Sequence, residues 1–399
     1  MIFLALLISI IIVYLYQTRL FGKHTFDDID YNVKVSTEEA FEGEDIFIYE
    51  EITNNKTLPV PYARVDTSLP QGLLFRITEH ERGTARDTMR SHVGSVFVIK
   101  SRERIRRRWR VNCKTRGVYT VGGAVVVGND LFGMNPVSKG FTCEPKKDNT
   151  IVVLPRPVDL DEHFTSSYYH SGDVITNHSL LTDPLMMAGS REYTTFDPMN
   201  RINWKQTAVH GKLMVNREEY TRRHRFNIML NMNSRDIERD AARPGDPVSV
   251  EFAITVCASI LDRISSENVP VRIISNTPPE AVSEDLRADT EGVGHDILFT
   301  PAYEGKRDMI SALRMLAAIK TEISCPVEKM LDFVLEHKDV FAESGNLIVV
   351  SAYISERMIV FHDEMERAGV KVIFYVTTTN RNAGFIPPSV EVYYKTHFD

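Results

Sequence analysis

Phe226-Asn227-Ile228-Met229-Leu230, followed at once by Asn231-Met232-Asn233-Ser234-Arg235, is the clearest pointer to the architecture of the C-terminal half. It is a short apolar run closed by polar residues, and it reads as a buried strand opening into a loop. Working outward, Val248 to Ile264 reads as a helix and Val269 to Ile274 as a second strand. Arg307 to Lys320 and Pro326 to Lys338 read as helices, and Leu347 to Ser351 as another buried strand. Glu356 to Ala368 reads as a helix and Val370 to Thr377 as a strand. Strands and helices alternating in this way predict a parallel, doubly wound sheet with helices on both faces.

Ligands of such sheets sit beyond the carboxyl ends of the strands, so the loop after Leu230 is where a metal would go. A metal-ion-dependent adhesion site uses D-x-S-x-S, one carboxylate and two hydroxyls, to give a hard divalent cation oxygen ligands. This chain offers Asn231, Asn233 and Arg235 instead, with Ser351-Ala352 after a later strand. An amide in place of the carboxylate and a guanidinium beside it weaken a hard-cation site, so the expectation is a degenerate loop with no Mg2+, no other metal and no cofactor. The four cysteines, Cys113, Cys143, Cys257 and Cys325, show no C-x-x-C pairing, which argues against zinc and for free thiols.

Upstream lies a run crowded with charge: Gly189, Arg191, Glu192 and Tyr193, then Asp197, Arg201, Trp204 and Lys205. Ile202, Trp204 and Leu213 are expected to anchor a wedge between domains, while the arginines pair with Asp197, Glu192 or Glu218. Ser190 and His210 lack a third partner, so a catalytic role is disfavoured.

From Tyr31 to about Leu154, short runs of strand-forming residues are punctuated by Asn54-Asn55-Lys56, Pro70-Gln71-Gly72 and Gly122-Gly123. With no helical run between them, they predict an antiparallel β-sandwich. Inside it Lys100 to Arg110 is the strongest charge run. On a strand, Arg104, Arg106, Arg108 and Arg110 share one face, and Ile105, Arg107, Trp109 and Val111 the other. The four arginines form a basic patch, read either as a solvated face that discourages strand addition or as a site for anionic lipid or an acidic partner.

Met1 to Tyr16 carries no charge, and extension to Phe21 includes Gln17, Thr18 and Arg19. A cleaved signal peptide lacks its basic region and cleavage site here, so an uncleaved transmembrane anchor over 1–21 is expected. Arg19, Lys23 and His24 follow the apolar run and place the body in the cytoplasm by the positive-inside rule. The resulting localisation is the cell membrane, crossed once. A formal net charge of −7 gives no support for nucleic-acid binding.

The residues Gly189, Arg191, Glu192, Tyr193, Asp197, Arg201, Ile202, Trp204, Lys205, Thr207, Ala208, Gly211 and Leu213 resemble the hallmark segment of the domain-of-unknown-function 58 family. Arg116-Gly117-Val118-Tyr119-Thr120-Val121-Gly122 and Asp130-Leu131-Phe132-Gly133-Met134 look like two further strings of that family. The chain departs from the pattern at Phe196 and at Val209-His210. The resemblance implies a von Willebrand factor A-like C-terminal domain and association with a MoxR-type AAA+ ATPase, often beside transglutaminase-like membrane proteins.

The expected fold class is thus α+β multidomain: a transmembrane helix over 1–21, an Ig-like β-sandwich over 28–155, a signature segment and linker over 156–225, and an α/β domain over 226–399. The expected function is a membrane-anchored cytoplasmic adaptor that binds protein partners, with the MoxR-type ATPase in a chaperone or assembly role. The alternative is an enzyme at the membrane surface that uses the Asp197, Arg201 and Lys205 cluster.

Overall fold

The computed structural model describes residues 2–21, 25–81, 84–129, 136–160, 182–193, 202, 204–220, 225–234, 246–265, 269–277, 296–321, 323–342, 345–378 and 386–395. The chain divides into two compact units, Met1–Arg156 with Ile310–Lys320, and Pro157–Met309 with Thr321–Asp399.

The first unit begins with helix α1 (Ile2–Phe21). Phe3, Leu4, Leu6, Ile10, Ile12 and Leu15 are exposed on it, but its last turn is folded against protein: Gln17 is 5% and Phe21 9% exposed. That leaves residues 2–16, roughly 22 Å at 1.5 Å per residue, against about 30 Å of bilayer hydrocarbon. Among the described residues no helix is long and apolar enough to cross a membrane. The expected transmembrane anchor is therefore corrected, and with it the single-pass membrane localisation and the fold class that included the span.

Among the described residues twelve strands follow: β1 (Ile29–Val35), β2 (Glu39–Phe41), β3 (Asp45–Asn54), β4 (Val60–Ser68), β5 (Leu73–Glu81), β6 (Thr84–Arg90), β7 (His92–Ile99), β8 (Arg104–Cys113), β9 (Gly117–Thr120), β10 (Gly123–Asn129), β11 (Val137–Thr142) and β12 (Thr150–Leu154). They form a five-stranded sheet in the order β1-β3-β8-β5-β6, a four-stranded sheet β11-β10-β4-β7 and a small sheet β2-β12-β9. The two larger sheets are antiparallel throughout. Alternation along β3, with Ile46, Ile48 and Ile52 buried and Phe47 and Tyr49 exposed, shows how the sequence sets the faces. One core gathers Val33, Ile46, Ile48, Leu73, Phe75 and Val111, and a second gathers Phe26, Ile52, Val60, Val65, Ile99 and Val126.

The second unit starts with a β13 (Thr182–Glu192) and β14 (Met214–Tyr220) hairpin, with the short helix α2 (Trp204–His210) in its connection. Next come β15 (Arg225–Leu230), α3 (Pro247–Ser265), β16 (Val271–Ser275), β17 (Leu298–Phe299) and α4 (Gly305–Ala318), the last shared with the first unit. The chain continues through α5 (Val327–Glu336), α6 (Lys338–Ala342), β18 (Gly345–Ser351), α7 (Glu356–Arg367), β19 (Lys371–Val376) and β20 (Glu391–Tyr394). The sheet order is β17-β16-β15-β18-β19-β20, parallel from β16 through β20, with β17 antiparallel at one edge. Helix starts follow local chemistry. Asp246 accepts from the backbone N–H of Val248 ahead of Pro247, and Ser355 accepts from that of Met358. The core packs Met229, Ile274, Leu347 and Val349 of the sheet with Met330, Phe341, Phe361 and Phe374.

Candidate functional site

Two places in the structure answer to the sequence expectations, and they differ in kind. The first is the carboxyl end of the parallel sheet. The chain runs from β15 to β16 on one side and later to β18 on the other, so strand order reverses between β15 and β18, where such sheets open a crevice. Here that crevice is closed by amides. Asn231 donates through Nδ2 to Ser351 Oγ at 3.0 Å, and its Oδ1 accepts from the N–H of Asn233 at 3.0 Å. Asn276 Nδ2 donates to Asn233 Oδ1 at 2.6 Å and to the Cys325 carbonyl at 3.0 Å, while its Oδ1 accepts from the N–H of Met232 at 2.8 Å. Asn231, Asn233, Asn276 and Ser351 are all buried. A neutral network whose donors and acceptors face one another holds loops together, and it offers a hard cation no anionic oxygen. Among the described residues no group of three His, Cys, Asp or Glu is placed to hold a metal. Arg235 lies outside the described residues. Asn276 was not singled out from the sequence, although its place just after the apolar strand Val271–Ser275 matches that of Asn231 after Leu230.

The second place is the outer face of the five-stranded sheet. Strand β8 alternates: Arg104, Arg106, Arg108 and Arg110 are exposed, whereas Arg107 and Trp109 turn inward. The inward pair meets Glu50, only 1% exposed, which accepts from Tyr31 Oη and Thr67 Oγ1, each at 2.7 Å, and from Trp109 Nε1 at 2.9 Å. Arg107 Nη2 pairs with the same carboxylate at 2.6 Å. Four donors on one buried carboxylate are what allow a charge inside a sandwich. Burial and then the Glu50 charge push the Tyr31 hydroxyl far above the ordinary tyrosine range, which keeps it a donor.

On the outer side the charges do not balance. Glu51 serves both Arg104, at 3.1 Å, and Arg106, at 2.7 Å, and Asp45 serves both Arg110, at 2.7 Å, and Arg76. Arg108 lies over the Phe47 ring at 4.8 Å, and no carboxylate pairs with it among the described residues. Phe47 and Tyr49 stay exposed between these guanidiniums. An open depression of about 380 Å³ lies beside them, lined by Asn32, Lys34, Tyr49, Glu50, Glu51 and Arg106. The face therefore carries excess positive charge, flat apolar surface and a hollow, which together suit an anionic ligand with apolar parts.

The charged run around Gly189 is only partly described. Arg191 and Glu192 pair through their backbones with Val215 and Met214, and Tyr193 donates its N–H to the Leu213 carbonyl at 2.8 Å. Gly189 lies within β13, while Asp197 and Arg201 lie outside the described residues. Ile202 is buried, but Trp204 is 69% exposed at the head of α2, beside an exposed Lys205. Trp204 thus sits at the surface, unlike the expected anchor. The expected cluster of Asp197, Arg201 and Lys205 lies mostly outside the described residues. Four free cysteines are present, and burial raises the Cys113 thiol to about 12.

Comparison with known proteins overturns the family resemblance. No family model matches the chain, and no curated protein does. Among solved structures, α-2-macroglobulin from Escherichia coli, spanning domain MG7 to the C-terminus, is 12% identical over 32% of this chain and 23% of its own, with a TM-score of 0.22. Spo0M, the sporulation control protein of Bacillus subtilis, is 13% identical over 37% of this chain and 58% of its own, with a TM-score of 0.18. A FixG-related protein from Vibrio parahaemolyticus is 5% identical over 32% of this chain and 97% of its own, with a TM-score of 0.19. The chain spans under two thirds of the first two, and TM-scores this low carry no argument. The domain-of-unknown-function 58 assignment and its von Willebrand factor A-like label are therefore corrected. So is the function built on them, a membrane-anchored adaptor for a MoxR-type ATPase, together with its alternative of a membrane-surface enzyme. Of the hallmark residues, Gly189, Arg191 and Glu192 lie in β13 and Trp204, Lys205, Thr207 and Ala208 in α2, while Asp197, Arg201 and the string Asp130 to Met134 lie outside the described residues.

Proposed function

We propose that the protein is a binding protein whose arginine-strand face, the outer side of the β1-β3-β8 sheet, holds an acidic polypeptide segment. The observation that carries this reading is Arg108, exposed, laid over Phe47 and, among the described residues, without a carboxylate, beside arginines that share two carboxylates. A guanidinium held flat on a ring is pre-ordered for bidentate capture of a carboxylate. Glu51 and Asp45 interrupt the positive track, so a uniform polyanion would meet like charge twice. A polypeptide with spaced acids can place an apolar side chain there instead. The net charge of −7 also weighs against a nucleic-acid backbone as the partner.

The test is fluorescence anisotropy with a labelled peptide alternating glutamate and leucine, compared with a lysine-leucine peptide and an oligothymidylate. The expected result is salt-sensitive binding of the acidic peptide alone, weakened at least tenfold in R104E/R106E/R108E, a variant that leaves Arg107 and the inner network intact. Unchanged affinity in that variant, or tighter binding of the oligonucleotide, would sink the reading.

A further inference from the structure

The edge of the four-stranded sheet is built differently from the other sheet edges. Among the described residues β7 pairs with β4 alone, so its second side presents a row of main-chain donors and acceptors without a ladder. Other edges carry the devices that block strand addition: β1 has Asp30 and Lys34, β6 has Arg86, Asp87 and Arg90, β11 has Lys139, and β2, β9 and β17 are short. Strand β7, His92-Val-Gly-Ser-Val-Phe-Val-Ile99, is eight residues long and has no lysine, arginine, acid or proline. Its outward row leaves Val96 57% and Val98 55% exposed, beside the Arg64–Asp66 ion pair of β4 on the same face. Its inward row is unfinished as well. Val93 and Phe97 pack on the two sandwich cores but are only partly buried at the edge.

We infer that β7 pairs antiparallel with β7 of a second copy of this chain, joining two four-stranded sheets into one that continues across a two-fold axis. The strand is its own complement. An axis through Val96 sets Val96 opposite itself and Gly94 opposite Val98 on the outer face, with Val93 opposite Ile99 and Ser95 opposite Phe97 on the inner. These four pairs are uncharged; beyond them His92 falls opposite Lys100, just past the strand, at each end of the pairing. Such a contact is isologous and closes after two copies. A foreign strand would satisfy the backbone equally, but the second copy sets small against large on both faces, Gly94 against Val98 and Ser95 against Phe97, and that fit argues for it as the occupant. The surface differs from the arginine-strand face, so the inference stands independently of the acidic-segment reading.

Sedimentation velocity of the full chain over a wide concentration range tests it. The expected result is a species of twice the chain mass that reverts to the monomer in V96K/V98K, a pair of changes on an exposed face that leaves the circular dichroism spectrum unaltered. Directly opposed residues in such a pair have Cβ atoms about 4.5–5.5 Å apart, so V96C is expected to form an intermolecular disulfide under mild oxidation while V125C does not. A monomer at every concentration overturns the inference. So does a dimer that persists in V96K/V98K, which would assign association to another surface such as the apolar side of α1. A dimer that V96C fails to cross-link overturns the two-fold pairing.

Discussion

Glu50 is the residue on which the sandwich interior is most exposed to a single substitution. It takes hydrogen bonds from Tyr31, Thr67 and Trp109 and an ion pair from Arg107, all within one buried pocket between the sheets. Replacing it by alanine leaves the Arg107 guanidinium buried without its counter-charge, and losses of that kind amount to about 3–5 kcal/mol. Replacing both charges by apolar residues of similar volume removes the stranded cation, and such swaps are often neutral or stabilising. Urea unfolding of E50A is therefore expected to show a large fall in midpoint that E50L/R107M largely restores. An E50A protein that unfolds at the wild-type midpoint would mean that Glu50 does not anchor Arg107 in the sandwich interior. The sequence showed that Arg107 and Trp109 share a face of the strand, because period two is a local property. It did not show Glu50 as their partner, because register between strands is set by the whole sheet.

At the scale of elements, β8 and β3 carry the arginine face, and Asp45 is the carboxylate that holds Arg110 and Arg76 on it. Although its partial burial opposes ionisation, hydrogen bonds from Asn112 and Arg110 and the charges of Arg110 and Arg76 hold its carboxyl below the ordinary value. An unfolded aspartate titrates near 3.9. A folded value below this means the stabilisation is complete above about pH 4–5 and is lost as the pH falls through the folded value. D45N is accordingly expected to be less stable than wild type at pH 6, with the gap narrowing as the pH falls below about 4 and towards the folded value of the wild-type carboxyl. Equal denaturant midpoints at pH 6, or a gap that stays constant to pH 3, would contradict this role. The alternation of Arg104 to Arg110 was legible in the letters, as was the apolar strand at Phe226–Leu230, which extends from Arg225 in the structure. The closed amide network was only half legible. Asn231, Asn233 and Ser351 flank strands that read clearly, but their meeting with Asn276 depends on parallel neighbours far apart in sequence. The apolar amino-terminal run read as a span because hydropathy counts residues and cannot see that Gln17 and Phe21 are used in packing.

At the scale of the whole molecule, compactness does not follow chain order, since Ile310–Lys320 belongs to the same unit as Met1–Arg156. The side chain that ties them is Arg116, which follows β8 and is 8% exposed. Its Nη1 donates to the carbonyls of Leu316 and Ile319, each at 2.7 Å, and of Ala317 at 3.3 Å. These are the carbonyls that the end of α4 leaves without helical partners, and a cation there also suits the helix dipole. Nearby Arg314 of the same helix pairs with Glu39 on β2, and Glu42 accepts from the Arg116 backbone N–H at 2.6 Å. No local pattern could have revealed a bond between residues two hundred positions apart, because periodicity reports the face of an element and not its company. Hydrogen bonds to charged groups are worth about 1.5–3 kcal/mol, enough to govern local opening of a helix end. R116M keeps much of the side-chain volume and removes the donors. Hydrogen exchange followed by mass spectrometry is expected to show faster exchange in the last turns of α4 and in the β2-β12-β9 sheet together, with β15, β18 and β19 at wild-type rates. Exchange that rises throughout the chain would mean a global loss of stability and not an opening confined to this unit, and unchanged exchange in α4 would mean that Arg116 does not hold it.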